Sequence, residues 1–201
     1  LKKTDDKDLV ICLISGGGSA LLPSPAGNLT LEDKQAVTKA LLECGANIHE
    51  INSIRKQISA VKGGRLAALV YPSRLISLIL SDVIGDDLDV IASGPTVPDT
   101  HTFHDCRNII QKYKLDERVP KRVIEYIEKG CNGEIEDTPK ADSPVFERTQ
   151  NTIVGSNIIA VNAAKEKAEK LGYNSIILST FIHVETEAVA ILHTAIGKYI
   201  I

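Results

Sequence analysis

Apolar positions fall into two rhythms along the chain. Leu9–Ile14 (LVICLI) is a continuous apolar run, the pattern of a strand buried on both faces. Leu75–Leu80 repeats it, and shorter runs at Thr152–Val154 and Ser175–Leu178 predict two more strands. Between them apolar residues recur at helical spacing. Helices are predicted over Leu31–Cys44, Ile48–Ala60, Leu66–Val70, Thr102–Tyr113, Pro120–Lys129, Asn157–Leu171 and Val184–Tyr199. Several carry boundary signals: Thr30 as N-cap with Asp33 in the first turn, Gly45 as a stop, an Asn47/Glu50 capping pair, and Pro120 at a first helical position. Cys131–Gln150 is polar and turn-rich, which predicts a flexible excursion.

Strands separated by helices predict βαβ units, hence an α/β fold: a parallel sheet between two helical layers, three layers (α/β/α) in all. Ligands of such sheets sit at the carboxyl ends of the strands. The segments that follow the four predicted strands are SGGGS, SDVIGDDLDVIASGPTVPD, Gly155-Ser156-Asn157 and Ser179-Thr180. All are small, polar or acidic, and the topology would gather them on one edge.

Each segment suggests chemistry. In Ser15-Gly16-Gly17-Gly18-Ser19, bare backbone N–H groups can approach an anion, with two hydroxyls beside them. The loop matches neither a P-loop nor a dinucleotide fingerprint, and a tight turn after a buried strand is the plainer use of three glycines. Arg55, Lys56, Lys62 and Arg65 place four positive charges in eleven residues, around Gly63 and Gly64. That suits a carboxylate or phosphate, although a solvated helix face is the plainer reading of the cations taken alone. Asp82 and Asp89 are candidate Mg²⁺ ligands, and Asp82 is also placed to take a proton from a substrate hydroxyl. Asp86 and Asp87 suit capping and loop solubility. Ser93 and Gly94 form a rigid turn, and Asn157 stands at a helix start.

Composition narrows the class without choosing a function. The 201 residues are 43% hydrophobic and 24% charged, enough to bury a sizeable core. A net charge of −3 with signs interspersed points away from nucleic acid, and no apolar run is long enough for a membrane span. Four scattered cysteines without a C-x-x-C pair predict free thiols in a reducing compartment. The sequence has no methionine and ends inside a helical pattern, so we expect a piece of a larger protein.

LISGGGSALL, EINSIRKQISAVKGGRLA and LILSDVIGDDLDVIASGPTVPD, in that order, followed by VGSN at Val154–Asn157, resemble the glycerate kinase family whose members carry a C-terminal MOFRL domain. Some relatives carry the label hydroxypyruvate reductase. The resemblance covers nearly the whole chain. It implies that residues 1–201 form most of a Rossmann-like N-terminal domain, without an upstream segment and without the C-terminal domain. It implies ATP-dependent phosphorylation of D-glycerate with Mg²⁺, usually giving 2-phosphoglycerate, in a cleft between the two domains. The family's essential lysine lies upstream of the SGGGS strand, and an essential arginine lies in the second domain. Lys62 and Arg65 are neither of these, so the fragment alone is expected to be inactive.

On this reading Asp82, Arg55 and Lys62 carry the catalytic work, and Asp82 and Asp89 face the metal. Ser15, Gly16, Gly17, Gly18, Ser19, Gly63, Gly64, Ser93, Gly94 and Asn157 touch substrate or nucleotide. The expected partner is a small molecule, D-glycerate, with no nucleic acid and no membrane. A homodimer is compatible with the resemblance. The expected compartment is the cytoplasm, or the mitochondrion if a transit peptide lies upstream. The alternatives are a hydroxypyruvate reductase and a non-catalytic ligand-binding fragment.

Overall fold

The computed structural model describes residues 4–200. Strands β1 (Leu9–Ile14), β2 (Arg74–Leu80) and β3 (Thr149–Gly155) form one parallel sheet in the order β1-β2-β3. Helices α1 (Gly18–Leu21), α2 (Leu31–Glu43), α3 (Ile48–Gln57) and α4 (Arg65–Val70) connect β1 to β2. A 3₁₀ turn (Ile91–Ser93), α5 (Phe103–Lys112) and α6 (Lys121–Cys131) connect β2 to β3, and α7 (Asn157–Lys170) and α8 (Thr186–Ile200) follow. The α/β class and the parallel sheet flanked by helices are as expected.

Capping fixes the helices that matter most. Thr30 and Asp33 make a reciprocal capping box at the start of α2, and Asn47 and Glu50 make another at α3. Each satisfies two backbone donors that a helix start leaves orphaned. A third box, Thr102 with Asp105, opens α5.

The sheet is covered on one face. Val10, Cys12 and Ile14 register with Leu75, Ser77 and Ile79, which register with Thr149, Asn151 and Ile153. Ala67 and Val70 of α4 pack on Leu75 of this face, and Ile91 packs on Ile14 and Ile79. The other face of β1 is open: Leu9, Ile11 and Leu13 are 53%, 59% and 77% exposed. The expectation of two-sided burial therefore holds for one side. Alternation along a strand sends neighbouring residues to opposite faces, and on the second face β1 is exposed while Ile76 and Leu78 of β2 are half-buried.

The largest core lies off the sheet, where α2, α3, α5 and α6 bury Leu41, Ile54, Phe103, Ile110 and Ile127 against one another. Val123, Tyr126 and Ile127 face inward from α6 at helical spacing. Gly130 lets the Phe103 ring lie on α6, since a Cβ there would stand 2.1 Å from that ring.

Two expectations fail. The strand at Ser175–Leu178 does not form; Ile176 is 76% exposed. It joins neither edge of the three-stranded sheet, and an unpaired strand gains no backbone bonds. The segment Cys131–Gln150 is anchored rather than flexible. Asp137 Oδ1 accepts from Phe103 N–H at 2.8 Å and from Gln57 Nε2 at 3.1 Å, and Thr138 is buried.

Candidate active site

The carboxyl ends of β1 and β2 meet as expected, and each glycine of the opening loop has its own reason. A Cβ on Gly16 would stand 2.8 Å from Asp82 Oδ2, so the bare backbone admits the Asp82 side chain. Gly17 takes φ +79, a left-handed conformation that favours glycine. A Cβ on Gly18 would crowd the Ala92 methyl at 3.1 Å. Gly18 N–H closes the turn on Ser15 O, whereas the N–H groups of Gly16 and Gly17 make no hydrogen bond among the described residues.

A cleft of about 290 Å³ opens over this loop, with Ser15, Gly17, Ser19, Asn52, Arg55 and Asp82 in its lining. Asn52 and Arg55 are three residues apart on α3 and so share a face. The adjoining face buries Ile51 and Ile54 in the helical core, which fixes the helix that carries both polar side chains. Asp82 is exposed, and among the described residues its carboxylate has neither hydrogen bond nor ion pair.

A second cleft, about 430 Å³, lies on the other side of Ser19 and Ala20. Lys34, Arg55 and Lys62 line it with Pro23, Leu31 and Leu42. Among the described residues none of the three cations has a carboxylate within ion-pair reach. Arg55 Nη2 donates to Ser19 O at 3.0 Å, and Lys62 Nζ donates to Ser19 O at 2.9 Å and Ala92 O at 3.1 Å. Burial, with Arg55 adding repulsion, lowers the Lys34 ammonium to about 8. Burial, with Arg55 and Lys34 adding repulsion, lowers Lys62 to about 7. Both shifts mark positive charge held without a counter-charge.

The floor between the clefts is an unusual backbone run. Ala92, Ser93 and Gly94 are all left-handed, with φ of +52, +61 and +58. Two consecutive non-glycine residues in this region carry strain. The run aims three successive carbonyls at three successive donors: Ala92 O accepts from Lys62 Nζ, Ser93 O from Gly63 N and Gly94 O from Gly64 N. The loop of residues 62–64 is thereby locked under the glycine loop.

That lock reassigns several candidates. Gly63 and Gly64 donate their N–H groups to Ser93 and Gly94, so no anion is held there. They are glycine because the chain is left-handed at both and closely packed; a Cβ on Gly64 would stand 2.7 Å from the Phe146 ring and 2.8 Å from Val97 O. Ser93 is fully buried and donates to Asn52 Oδ1 at 3.2 Å, so Ser19 is the donor in the 2.8 Å bond between the two hydroxyls. Neither hydroxyl proton faces a ligand. Lys62 is a positioning residue that contributes charge from beneath the cleft. Asn157 is exposed at the start of α7 and lines neither cleft.

Asp89 is engaged elsewhere. Fully buried Lys56 pairs with Asp89 and, at 3.2 Å, with Asp99. Asp89, Asp99 and His101 bring their ligand atoms within 4.8 Å of one another, and the Lys56 ammonium already provides the positive charge there. Arg65 is structural, donating to Ser59 O at 2.9 Å. Of the four clustered cations, the fold sends Arg55 and Lys62 to the clefts and Lys56 to the interior, while half-buried Arg65 donates to Ser59 O and Glu136 O away from both. Sequence reasoning missed Lys34 and Asn52. Lys34 carried a signal: it falls in phase with the apolar stripe Val37 and Leu41 of α2, where a solvated lysine is out of place.

These features define an α/β protein with a cationic cleft and a free carboxylate at the carboxyl edge of a parallel sheet. The chain belongs to the family described as "Domain of unknown function (DUF4147)", which matches residues 1–128. It is 44% identical over 187 residues to the glycerate 2-kinase of Pyrococcus horikoshii, covering 93% of this chain and 42% of that protein. It is 46% identical over 183 residues to the glycerate kinase of Rattus norvegicus, covering 91% and 34%. A putative hydroxypyruvate reductase of Agrobacterium vitis is 43% identical over 190 residues, covering 94% and 47%. The crystal structure of glycerate kinase from Thermotoga maritima superposes with a TM-score of 0.76 at 38% identity, covering 88% of this chain and 40% of that one. The chain thus spans less than half the length of these relatives.

Proposed function

We propose that this chain supplies the N-terminal part of a glycerate kinase, and that the protein it belongs to transfers the γ-phosphoryl group of ATP to a hydroxyl of D-glycerate. The observation that carries the reading is the meeting of Asp82, the free Gly17 N–H and Arg55 in one cleft at the sheet edge, with the free Gly16 N–H next to Gly17 in the chain. Kinship with proteins named glycerate kinase supports it.

Phosphoryl transfer asks for positioning and charge neutralisation more than for covalent help. In this proposal the Gly16–Gly17 backbone and Arg55 hold the glycerate carboxylate. The glycerate hydroxyl oxygen bonds to the γ-phosphorus, the bond from that phosphorus to the β–γ bridging oxygen breaks, and ADP leaves. Asp82 accepts the hydroxyl proton. We favour the 2-hydroxyl, which lies beside the anchored carboxylate. When bound, Mg²⁺ would neutralise phosphate charge. Asp82, the unpaired carboxylate of the cleft, fits a site that takes one carboxylate and phosphate oxygens, whereas Asp89 is committed to Lys56. The remainder of the site belongs, in this reading, to a second domain outside this chain, across a cleft, and the chain alone is inactive.

ADP release with D-glycerate and Mg-ATP tests the reading, using the protein expressed from its full gene beside residues 1–201. Turnover by the former alone is expected. The name of the Agrobacterium vitis relative favours a second reading, reduction of hydroxypyruvate. Oxidation of NADH by hydroxypyruvate, without ADP release, would establish that instead.

A further inference from the structure

The two clefts on either side of Ser19 differ in charge, and the difference sorts the two substrates. We propose that the cleft bounded by α2 holds the phosphate chain of the nucleotide, and that Lys34 is the residue that contacts it. The proposal rests on the kinase reading above.

Three observations carry it. Lys34, Arg55 and Lys62 converge with no carboxylate in ion-pair reach among the described residues. A glycerate carboxylate brings one negative charge, which Arg55 meets from the smaller cleft, whereas a nucleoside di- or triphosphate brings about three or four and suits the further cations Lys34 and Lys62, the Glu43 carboxylate of this lining being paired with Lys39 and Arg118. The three cations also differ in what they have free. Lys62 Nζ contacts Ser19 O, Ser19 Oγ and Ala92 O, which accounts for its three protons. Lys34 Nζ reaches only Ser24 O, at 3.5 Å, the limit of a hydrogen bond. Lys34 is therefore the ammonium with donors to give. Lastly, Pro23, Leu31 and Leu42 give the same cleft an apolar wall. An apolar wall with few convergent polar groups is the usual make-up of a small-molecule site, and it suits a base and ribose.

The smaller cleft has the opposite character. Asp82 there accepts from a hydroxyl, and would face phosphate only through a bound Mg²⁺. Arg55 lines both clefts. It marks their junction, where a terminal phosphate from one side would meet a hydroxyl from the other. The lowered ammonium groups of Lys34 and Lys62 agree with this arrangement, because a bound polyanion would recharge them.

Calorimetric titration of ADP and, separately, of D-glycerate into the protein expressed from its full gene tests the assignment. Lys34→Gln should weaken ADP at least tenfold and leave D-glycerate within twofold, and Lys34→Arg should restore ADP to within a few-fold of wild type. In the wild-type protein, inorganic pyrophosphate should displace ADP and leave D-glycerate bound, a result that depends on no variant's folding. Loss of D-glycerate affinity in Lys34→Gln, unchanged ADP affinity, or displacement of D-glycerate by pyrophosphate would overturn the subsite. D-glycerate turnover with ADP affinity unmoved by Lys34→Gln would refute the subsite and keep the kinase reading. ADP bound through Lys34 without any D-glycerate turnover would do the reverse.

Discussion

Lys56 and Lys62 are both fully buried and lie six residues apart, yet their surroundings are opposite. Lys56 sits between two carboxylates. Burial pushes the Asp99 carboxyl up, but Lys56, the Thr138 hydroxyl and His101 together hold it below its usual value. Lys62 meets only hydroxyl and carbonyl oxygens, with Arg55 and Lys34 beside it. Removing a charge from water is costly, and a protein offsets that cost with a counter-charge or leaves the site strained. The Lys56 cluster is internally neutralised and belongs to the scaffold. The Lys62 cluster holds positive charge without a counter-charge, and it lies where the sheet topology puts ligands.

The largest way to break this contrast is Lys56→Met. It strands Asp99 in the interior without its cation, and loss of one partner from a buried pair costs about 3–5 kcal/mol. Urea unfolding should show that loss. Gly64→Ala comes next, because its backbone is left-handed and the new methyl meets Phe146 and Val97 O. A cost of about 1–3 kcal/mol is expected by the same assay, and it falls on the scaffold that holds the cleft floor.

The pH dependence of stability sharpens the comparison. Lys34 and Lys62 titrate at about 8 and about 7 in the folded chain, below the ordinary lysine range. At these two lysines the unfolded chain binds more protons than the folded one above about pH 7, so their contribution to stability rises with pH, until the thiols of Cys12, Cys106 and Cys131, which burial raises, oppose it near the unfolded thiol value of about 8.5. Urea midpoints should climb from pH 7 to pH 8, and saturating pyrophosphate should flatten the climb. Asp99 has the same sign in a lower window: its lowered carboxyl contributes stability above its unfolded value, about pH 3.9, which is lost as pH falls through the folded one. The smallest expected change in stability is for Lys62→Met. It removes an unpaired buried charge, so the urea midpoint should shift by less than the equivalent of about 2 kcal/mol, while the KM for ATP rises several-fold.

Local signals made much of the scaffold legible. The Thr30/Asp33 and Asn47/Glu50 pairs fix the starts of α2 and α3 where the sequence placed them. The apolar runs at Leu9–Ile14 and Leu75–Leu80 are β1 and the greater part of β2. Burial was less legible, because Leu9, Ile11 and Leu13 look alike whether or not anything covers them. The absent strand at Ser175–Leu178 shows the same limit, since pairing depends on a neighbour. Within the site, Gly16, Gly17 and Asp82 meet at the edge that the strand pattern indicates. The fate of a cation was not legible from its neighbours. Arg55 and Lys56 are adjacent in sequence, yet one lines the clefts and the other is locked between Asp89 and Asp99. Gly63 and Gly64 resemble an anion loop by composition, yet their N–H groups face Ser93 and Gly94. Only the fold brings these partners, about thirty residues away, within reach.

The most direct test of the unpaired-cation account is the proton balance of ADP binding at pH 8, measured by calorimetry in two buffers of different ionisation enthalpy. ADP phosphates are already ionised at that pH. Recharging Lys34 and Lys62 should therefore take up about half a proton or more per ADP bound, and Lys34→Gln should reduce the uptake. Tight ADP binding with no proton uptake would contradict the account.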